Sequence, residues 1–476
     1  MLLGARSWSD FWIGDFWIYA ATVGELAVRP LDPVNPLLGG GYAFAFHSPY
    51  MVALGLVARV TAASPVDVLV AQGMVNLALL AAALYAFVAT WVRRPPAAFY
   101  ALLFVLLLWG SDPWNFSGFF HLRSLAYVLP YPSTFAAAVA LATLAAFARL
   151  AHAPKAWVPL VVAAGALLFA VHPVTAMFLW VGLFAWSLGA PRTRAHWLLF
   201  GAAAAVSFGL ALAWPLVPMR ELWFGELARV HEGNDSMYDG PLARIAPALL
   251  GLPVLVLRLR RDRRDPLAIA TVLLGLLVVY GGVSGAWTYG RLIAPAVLLL
   301  QVALADALAG AEQRLVARPL LRRLVPAAVA ALLVAGSWTV VKDVAREGRT
   351  PGDRLWLRFL GERVGRDDVV MTDRDTCWYV PAFAGRVVAY PMNLPFVPDH
   401  LERLAAVGRF FEPGVSESER RALLARYRVR FVLLPKHHFP DRPELRAELQ
   451  PLGATVFSDV EYDLLRVPDA RDGPVD

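Results

Sequence analysis

Two carboxylates, Asp10 and Asp15, lie in the stretch SWSDFWIGDFWIYAATVGELA, set among tryptophan, phenylalanine and tyrosine side chains. A carboxylate walled by Trp12, Phe16, Trp17 and Tyr19 is partly desolvated, which raises its basicity enough to take a proton from an attacking hydroxyl. The plainer use of such a residue is to cap a helix by accepting backbone N–H groups. Cations that could answer these acids stand in later polar segments: Arg123 in SDPWNFSGFFHLRSLAYVLPYPS, Arg220 in PMRELWFGELARVHEGNDSMYDG and Arg291 in SGAWTYGR. In a low-dielectric site a guanidinium matches the oxygens of a phosphate and offsets its charge. The alternative for each arginine is a snorkelling or solvated side chain.

The same segments carry Asp112, His121, Glu221, His231, Glu232, Asp235, Asp239 and Tyr289, all polar groups able to contact a substrate. His47, in AFHSPY, could orient a phosphate or be a hydrogen-bonded loop histidine. His172 opens HPVT at a helix end, where a histidine usually has a structural partner. HEGND, from His231 to Asp235, offers oxygen and nitrogen ligands for a divalent ion, but its spacing matches no specific metal signature. The single cysteine, Cys377, excludes an intramolecular disulfide and a Cys-x-x-Cys pair, and reads as a buried apolar residue.

The elements that must position these groups are membrane helices. The chain has 476 residues, of which 58% are hydrophobic and 17% charged, and its mean hydropathy is +0.54. A charged fraction nearer about 25% is usual in soluble domains. Its net charge of +7 could suggest nucleic acid, but the arginines fall in short clusters between apolar runs, as orientation signals do, so no nucleic-acid partner is expected. Apolar runs near the length of a span occur at 68–92, 96–110, 133–150, 157–171, 174–190, 197–217, 242–257, 266–282, 292–310 and 324–341, giving about ten spans. Arg/Lys-rich connections, among them RLRRDRRD from Arg258 to Asp265, alternate with aromatic, Arg/Lys-poor ones. By the positive-inside rule the basic set faces the cytoplasm, which puts Asp10, Asp15, Arg123, Arg220, Arg291 and the whole C-terminal segment outside. The opening MLLGARSWSD lacks the uninterrupted apolar core of a secretory signal, so an outward start implies an unrecognised or upstream first span.

Three regions result: 1–67, an outward first loop with interfacial helices; 68–341, a transmembrane helical domain; and 342–476, an extracytoplasmic α/β domain. In the first, DFWIYAATVGELAV and PYMVALGLVARVTA are too short or too interrupted to cross, and are expected along the outer membrane surface. In the last, RLWLRFLGERV, HLERLAAVGRFF and ESERRALLARYR read as helices and TCWYVPAFAG as a short one. DVVMTD, RVVAYP, VRFVLLP and ATVFSDVEYDLLRV read as strands. No glycine-rich phosphate loop follows these strands, so nucleotide binding has no support.

The stretch GDFWIYAATVGELA, followed by NPLLGGGYAFAFHSPYMVALGLVAR, many short spans and an outward α/β domain resembles the GT-C superfamily of membrane glycosyltransferases, which includes protein mannosyltransferases, aminoarabinose transferases and oligosaccharyltransferases. The resemblance implies a polytopic α-helical membrane protein of GT-C type in a bacterial inner membrane. It also implies transfer of a sugar from a polyprenyl-phosphate donor to an acceptor hydroxyl on a lipid, glycan or protein, with inversion. Asp15 matches the family's first-loop catalytic carboxylate and Asp10 stands in reserve. Arg291, Arg123 and Arg220 would bind the donor phosphate; His47, Asp112, His121, Glu221, His231 and Tyr289 would line the substrate. No cofactor is certain, a divalent metal ion being the one candidate, and the adjacent acidic pair common in the family is absent. The competing reading is a non-catalytic lipid-linked glycan transporter or assembly scaffold, although no inverted repeat with broken midplane helices is visible.

Overall fold

Each of the ten apolar runs is helical over most of its length in the computed structural model, which describes residues 3, 12, 14–189, 192–225, 234–314, 319–348, 357–394, 396–442 and 444–468. Proline opens helix after helix, at Pro49, Pro65, Pro95, Pro132, Pro154, Pro173, Pro241, Pro266 and Pro319. At the first helical position the missing N–H costs nothing and the fixed φ suits the helix. The proline content of this apolar chain is therefore largely helix punctuation, with Pro159 and Pro326 as interior cases.

Among the described residues seven helices are long and apolar enough to cross a membrane: Pro65–Trp91, Pro132–Leu150, Pro154–Val171, Arg194–Leu212, Pro241–Arg261, Pro266–Ser284 and Trp287–Gln313. An eighth candidate is broken, its halves Leu324–Gly336 and Trp338–Glu347 meeting at 71°. The runs at 96–110 and 174–190 give the helices Pro95–Leu107 and Pro173–Leu188, of 13 and 16 residues, each short of a full crossing. The chain is thus a multi-pass membrane protein.

These helices belong to a unit formed by Met1–Phe11, Val70–Trp214 and Met219–Pro351. Charges tie several of them together at one end. Asp306, buried on Ile293–Gln313, receives both Arg94 and Arg258. Arg258 also reaches Asp265 at 2.7 Å, and Asp265 caps Pro266–Ser284 through Ala268 N–H. One buried carboxylate shared by two guanidiniums satisfies groups that would be costly to desolvate alone.

The second unit joins Trp12–Leu69 and Pro215–Pro218 to Gly352–Asp476. Its sheet has five strands, β1 Val369–Met371, β2 Arg386–Val387, β3 Val429–Pro435, β4 Ala454–Ser458 and β5 Tyr462–Arg466, in the order β2-β1-β3-β5-β4. β1 runs parallel to β2 and β3; β5 is antiparallel to both β3 and β4. Side chains on β3 alternate as the pleat requires. Val432 and Leu434 face the core of helices His400–Phe410, Glu417–Arg426 and Glu444–Leu449. Phe431 and Leu433 face a second core built with Val370, Val387 and Leu464.

That second core holds Ile18, Ala21, Leu37, Leu38 and Phe44 from the start of the chain. The sequence reading separates 1–67 from 342–476, whereas the folded unit closes one sheet face with residues from both. Leu38 forms a parallel bridge with Val387, whose N–H bonds the Leu37 carbonyl at 2.8 Å. Arg29 reaches Asp367 at 2.7 Å and Glu25 at 2.7 Å. The helix Phe16–Val28 is buried from Phe16 through Leu26. Within this unit it is a buried helix, packed against the helices Pro49–Thr61 and Val380–Phe383, with Ile18 and Ala21 in the core under the sheet. In the C-terminal part the expected strands form; RLWLRFLGERV, partly outside the described residues, contributes the short helix Leu360–Arg363.

Candidate functional site

Arg291 ends a 3-10 turn, Trp287–Leu292, that feeds directly into the helix Ile293–Gln313. It borders a pocket of the helical unit whose walls are Phe120, Leu141, Phe178 and Leu298 and whose polar groups are Ser117, His172, Thr175 and Arg291. The guanidinium is oriented: its Nε donates to Asn234 Oδ1 at 2.9 Å, and its carbon lies 5.7 Å from the Phe116 ring centre. Asn234 is 4% exposed, so this bond is sheltered from water. A cation over an aromatic face is further favoured where solvent is excluded.

The segments around the pocket are packed. Trp114, Phe119, Met237, Ala248, Ile293, Ala294 and Val297 form one apolar cluster. Trp114 Nε1 donates to the Ser236 carbonyl at 3.1 Å, and Gly110 N–H to the Arg244 carbonyl at 2.8 Å. Gly118, on the pocket lining, has φ +95°, a conformation that only glycine adopts without strain.

Of the three arginines proposed from sequence, the pocket takes only Arg291. Arg123 is exposed on the helix Leu122–Val128, and Arg220 and Glu221 are exposed on Met219–Phe224. Asp112 is exposed and pairs with Arg244 at 3.3 Å. Tyr289 packs edge-on against Tyr280 at 5.5 Å, off the pocket lining. Asp235 and Asp239 are exposed. Asp10, His231 and Glu232 lie outside the described residues.

His121 is spent on structure. Its Nδ1 accepts Ser124 N–H at 3.3 Å, capping the helix Leu122–Val128, and its Nε2–H donates to the Trp114 carbonyl at 3.0 Å. Burial pushes its pKa down to about 4. Ser117, His172 and Thr175 on the pocket lining and Asn234 beside Arg291 were not assigned to the site from sequence; His172 was read only as a helix-end residue and Asn234 only as part of HEGND.

In the other unit Asp15 is half-exposed just before the helix Phe16–Val28 and makes no side-chain cap there, so the capping role does not apply. The aromatic residues that flank it in sequence pack on one another: Trp12 stacks on Phe16 at 4.4 Å, Trp17 Nε1 donates to the Trp12 carbonyl at 3.1 Å, and Trp17 meets Tyr379 edge-on at 5.3 Å. His47 is buried, hydrogen-bonds the Leu216 backbone and borders a pocket of about 290 Å³ with Asn35 and Tyr42. Its burial also lowers its pKa to about 4, so it carries no charge for a phosphate near neutrality.

Most of HEGND lies outside the described residues, and among the described ones a group able to hold a divalent ion is found in the C-terminal part of the chain. Asp373, Asp375 and His438 have ligand atoms within 4.8 Å of one another, just beyond the carboxyl ends of the parallel strands β1 and β3. Two carboxylates and an imidazole suit a borderline cation such as zinc or manganese. His438 Nδ1 already bonds Asp373 Oδ2 at 2.7 Å, and Asp373 also accepts the N–H groups of Asp375 and Thr376. Cys377 is buried, with its thiol pushed well above the ordinary value by desolvation, as an inert core thiol should be.

Solved glycosyltransferase structures share this fold. The archaeal oligosaccharyltransferase AglB from Archaeoglobus fulgidus, in complex with an inhibitory peptide and a dolichol-phosphate, matches with a TM-score of 0.54 at 13% identity, covering 100% of this chain and 74% of its own. The same enzyme in complex with Zn and sulfate gives 0.53 at 12% identity, over 94% of this chain and 69% of that one. The arabinofuranosyltransferase AftD from Mycobacteria gives 0.60 at 15% identity, over 98% of this chain but 39% of its own length. The chain shares the fold of these two glycosyltransferases and carries a small C-terminal sheet. No protein-family model matches it, and no curated protein matches it by sequence.

Proposed function

We propose that the protein is a membrane glycosyltransferase that moves a sugar from a polyprenyl-phosphate donor to an acceptor hydroxyl, with inversion, at the outer face of a bacterial inner membrane. The observation that carries this reading is the Arg291 pocket: hydrocarbon walls for a lipid and one oriented guanidinium for its phosphate. Support comes from the fold shared with AglB, whose solved complex contains a dolichol-phosphate. In the reaction the acceptor oxygen attacks the anomeric carbon, the bond from that carbon to the phosphate oxygen breaks, and the phosphate leaves with the electron pair. Arg291 offsets the charge that develops there; the family resemblance gives the role of proton acceptor to Asp15. The acceptor is a hydroxyl of a lipid, glycan or protein.

Transfer from a defined polyprenyl-phosphate sugar by the purified full-length protein tests the proposal. Asp15→Asn should lower kcat by about 10²- to 10⁴-fold, the usual worth of a general base. Arg291→Gln should lower kcat, because the charge it offsets develops in the transition state, and also raise the KM for donor. Wild-type turnover by the Asp15 variant would remove Asp15 as base, and no transfer by the wild type from any lipid-linked donor would favour the transporter or scaffold reading.

A further inference from the structure

The imidazole of His172 is held in one tautomer. Its Nδ1 accepts the Thr175 N–H at 3.3 Å, capping the helix Pro173–Leu188, so the Thr175 hydroxyl, 2.7 Å from the same nitrogen, must donate to it as well. A nitrogen that accepts from a backbone N–H carries no proton, and the ring hydrogen therefore sits on Nε2. That nitrogen has no hydrogen-bond partner among the described residues, yet the ring borders the pocket that contains Arg291. The helix start adds the positive end of a peptide dipole on the same side. Arg291 supplies the charge and His172 a neutral donor of fixed direction.

We infer that His172 is a second phosphate-binding group of this pocket, offering Nε2–H to a phosphate oxygen of an isoprenoid-type lipid while Arg291 pairs with the charge. The inference rests on the lipid-phosphate reading of the pocket and gives that site a residue with its own consequence. Thr175 is then a positioning residue: its backbone N–H sets the tautomer, and its hydroxyl, 2.7 Å from Nδ1, holds the ring plane, so that without the hydroxyl Nε2–H is no longer aimed at one place.

Binding of farnesyl phosphate and of farnesol to the full-length protein in nanodiscs separates the possibilities. His172→Asn keeps a good helix cap, since asparagine accepts the same N–H, but its amide is too short to present a donor where Nε2 stands. It should weaken farnesyl phosphate about ten-fold, the scale of one hydrogen bond to a charged group, and leave farnesol unchanged. Thr175→Val should weaken farnesyl phosphate about three-fold with farnesol again unchanged. Equal loss of both ligands in the His172 and Thr175 variants would show a merely structural role and overturn the inference. So would unchanged farnesyl phosphate binding in His172→Asn while Arg291→Gln loses it, and in that case the pocket reading survives. A wild-type protein that binds the two ligands equally would overturn both.

Discussion

His121 shows how a residue with the chemistry of a catalyst can be fully committed elsewhere. Both ring nitrogens are bonded, and the side chain is 3% exposed, so protonation must break the cap and bury a charge. Its folded pKa, about 4, lies below the ordinary value of 6.5. Stability from the neutral ring is therefore complete above about pH 6.5 and is lost as pH falls toward 4, by up to about 3 kcal/mol. His121→Asn, which caps without titrating, should flatten this part of the acid dependence, read as thermal unfolding midpoints at pH 7.5 and 5. The sequence reading offered His121 for the substrate and not as the cap of Ser124, three residues along the chain. The Trp114 carbonyl was not legible, because it depends on how the intervening loop folds. Arg291 stood out by its place just before an apolar run, whereas its partner Asn234, 57 residues away, had no such signal. Near Asp15, the packing of Trp12 on Phe16 and of Trp17 on the Trp12 carbonyl joins residues close together in sequence.

Elements were legible where the apolar pattern admits a single reading. β3 alternates between two cores, and the pattern VRFVLLP suffices to call for a buried strand. Phe16–Val28 is apolar all round, a pattern shared by surface-seeking and fully enclosed helices, and only the sheet contributed from the far end of the chain decides between them. Its packing on Pro49–Thr61 depends on Gly55, where an added Cβ would stand 2.4 Å from Leu26 Cβ and 2.9 Å from the Leu26 carbonyl carbon. Gly55→Ala should cost about 1–3 kcal/mol through overpacking, measured by thermal unfolding. Gly209→Ala on Arg194–Leu212, where a Cβ meets nothing within 4 Å, should leave stability unchanged or raise it by up to about 1 kcal/mol. The short helices Pro95–Leu107 and Pro173–Leu188 were legible as apolar runs, but their ends are set by local hydrogen bonds that composition does not fix. At the second of these, the His172 side chain is what closes the helix start.

At the scale of the molecule, the division into two units cuts across the order of the sequence. A fragment of residues 352–476 would expose Val370, Val387, Phe431, Leu433 and Leu464, which Ile18, Ala21, Leu37, Leu38 and Phe44 otherwise help to cover. Expressed alone it should aggregate or bind the dye ANS, and co-expression with residues 12–69 should restore a monodisperse species by gel filtration. A well-folded fragment without that segment would show the shared core to be dispensable. The arrangement also sets a timetable for biogenesis. A ribosome releases Phe16–Val28 more than 300 residues before the first strand that will shelter it, and at about 5–20 residues per second that delay is on the order of tens of seconds. Through that interval the nascent apolar helix needs a temporary host, either a chaperone or the lipid itself, from which it must afterwards be withdrawn.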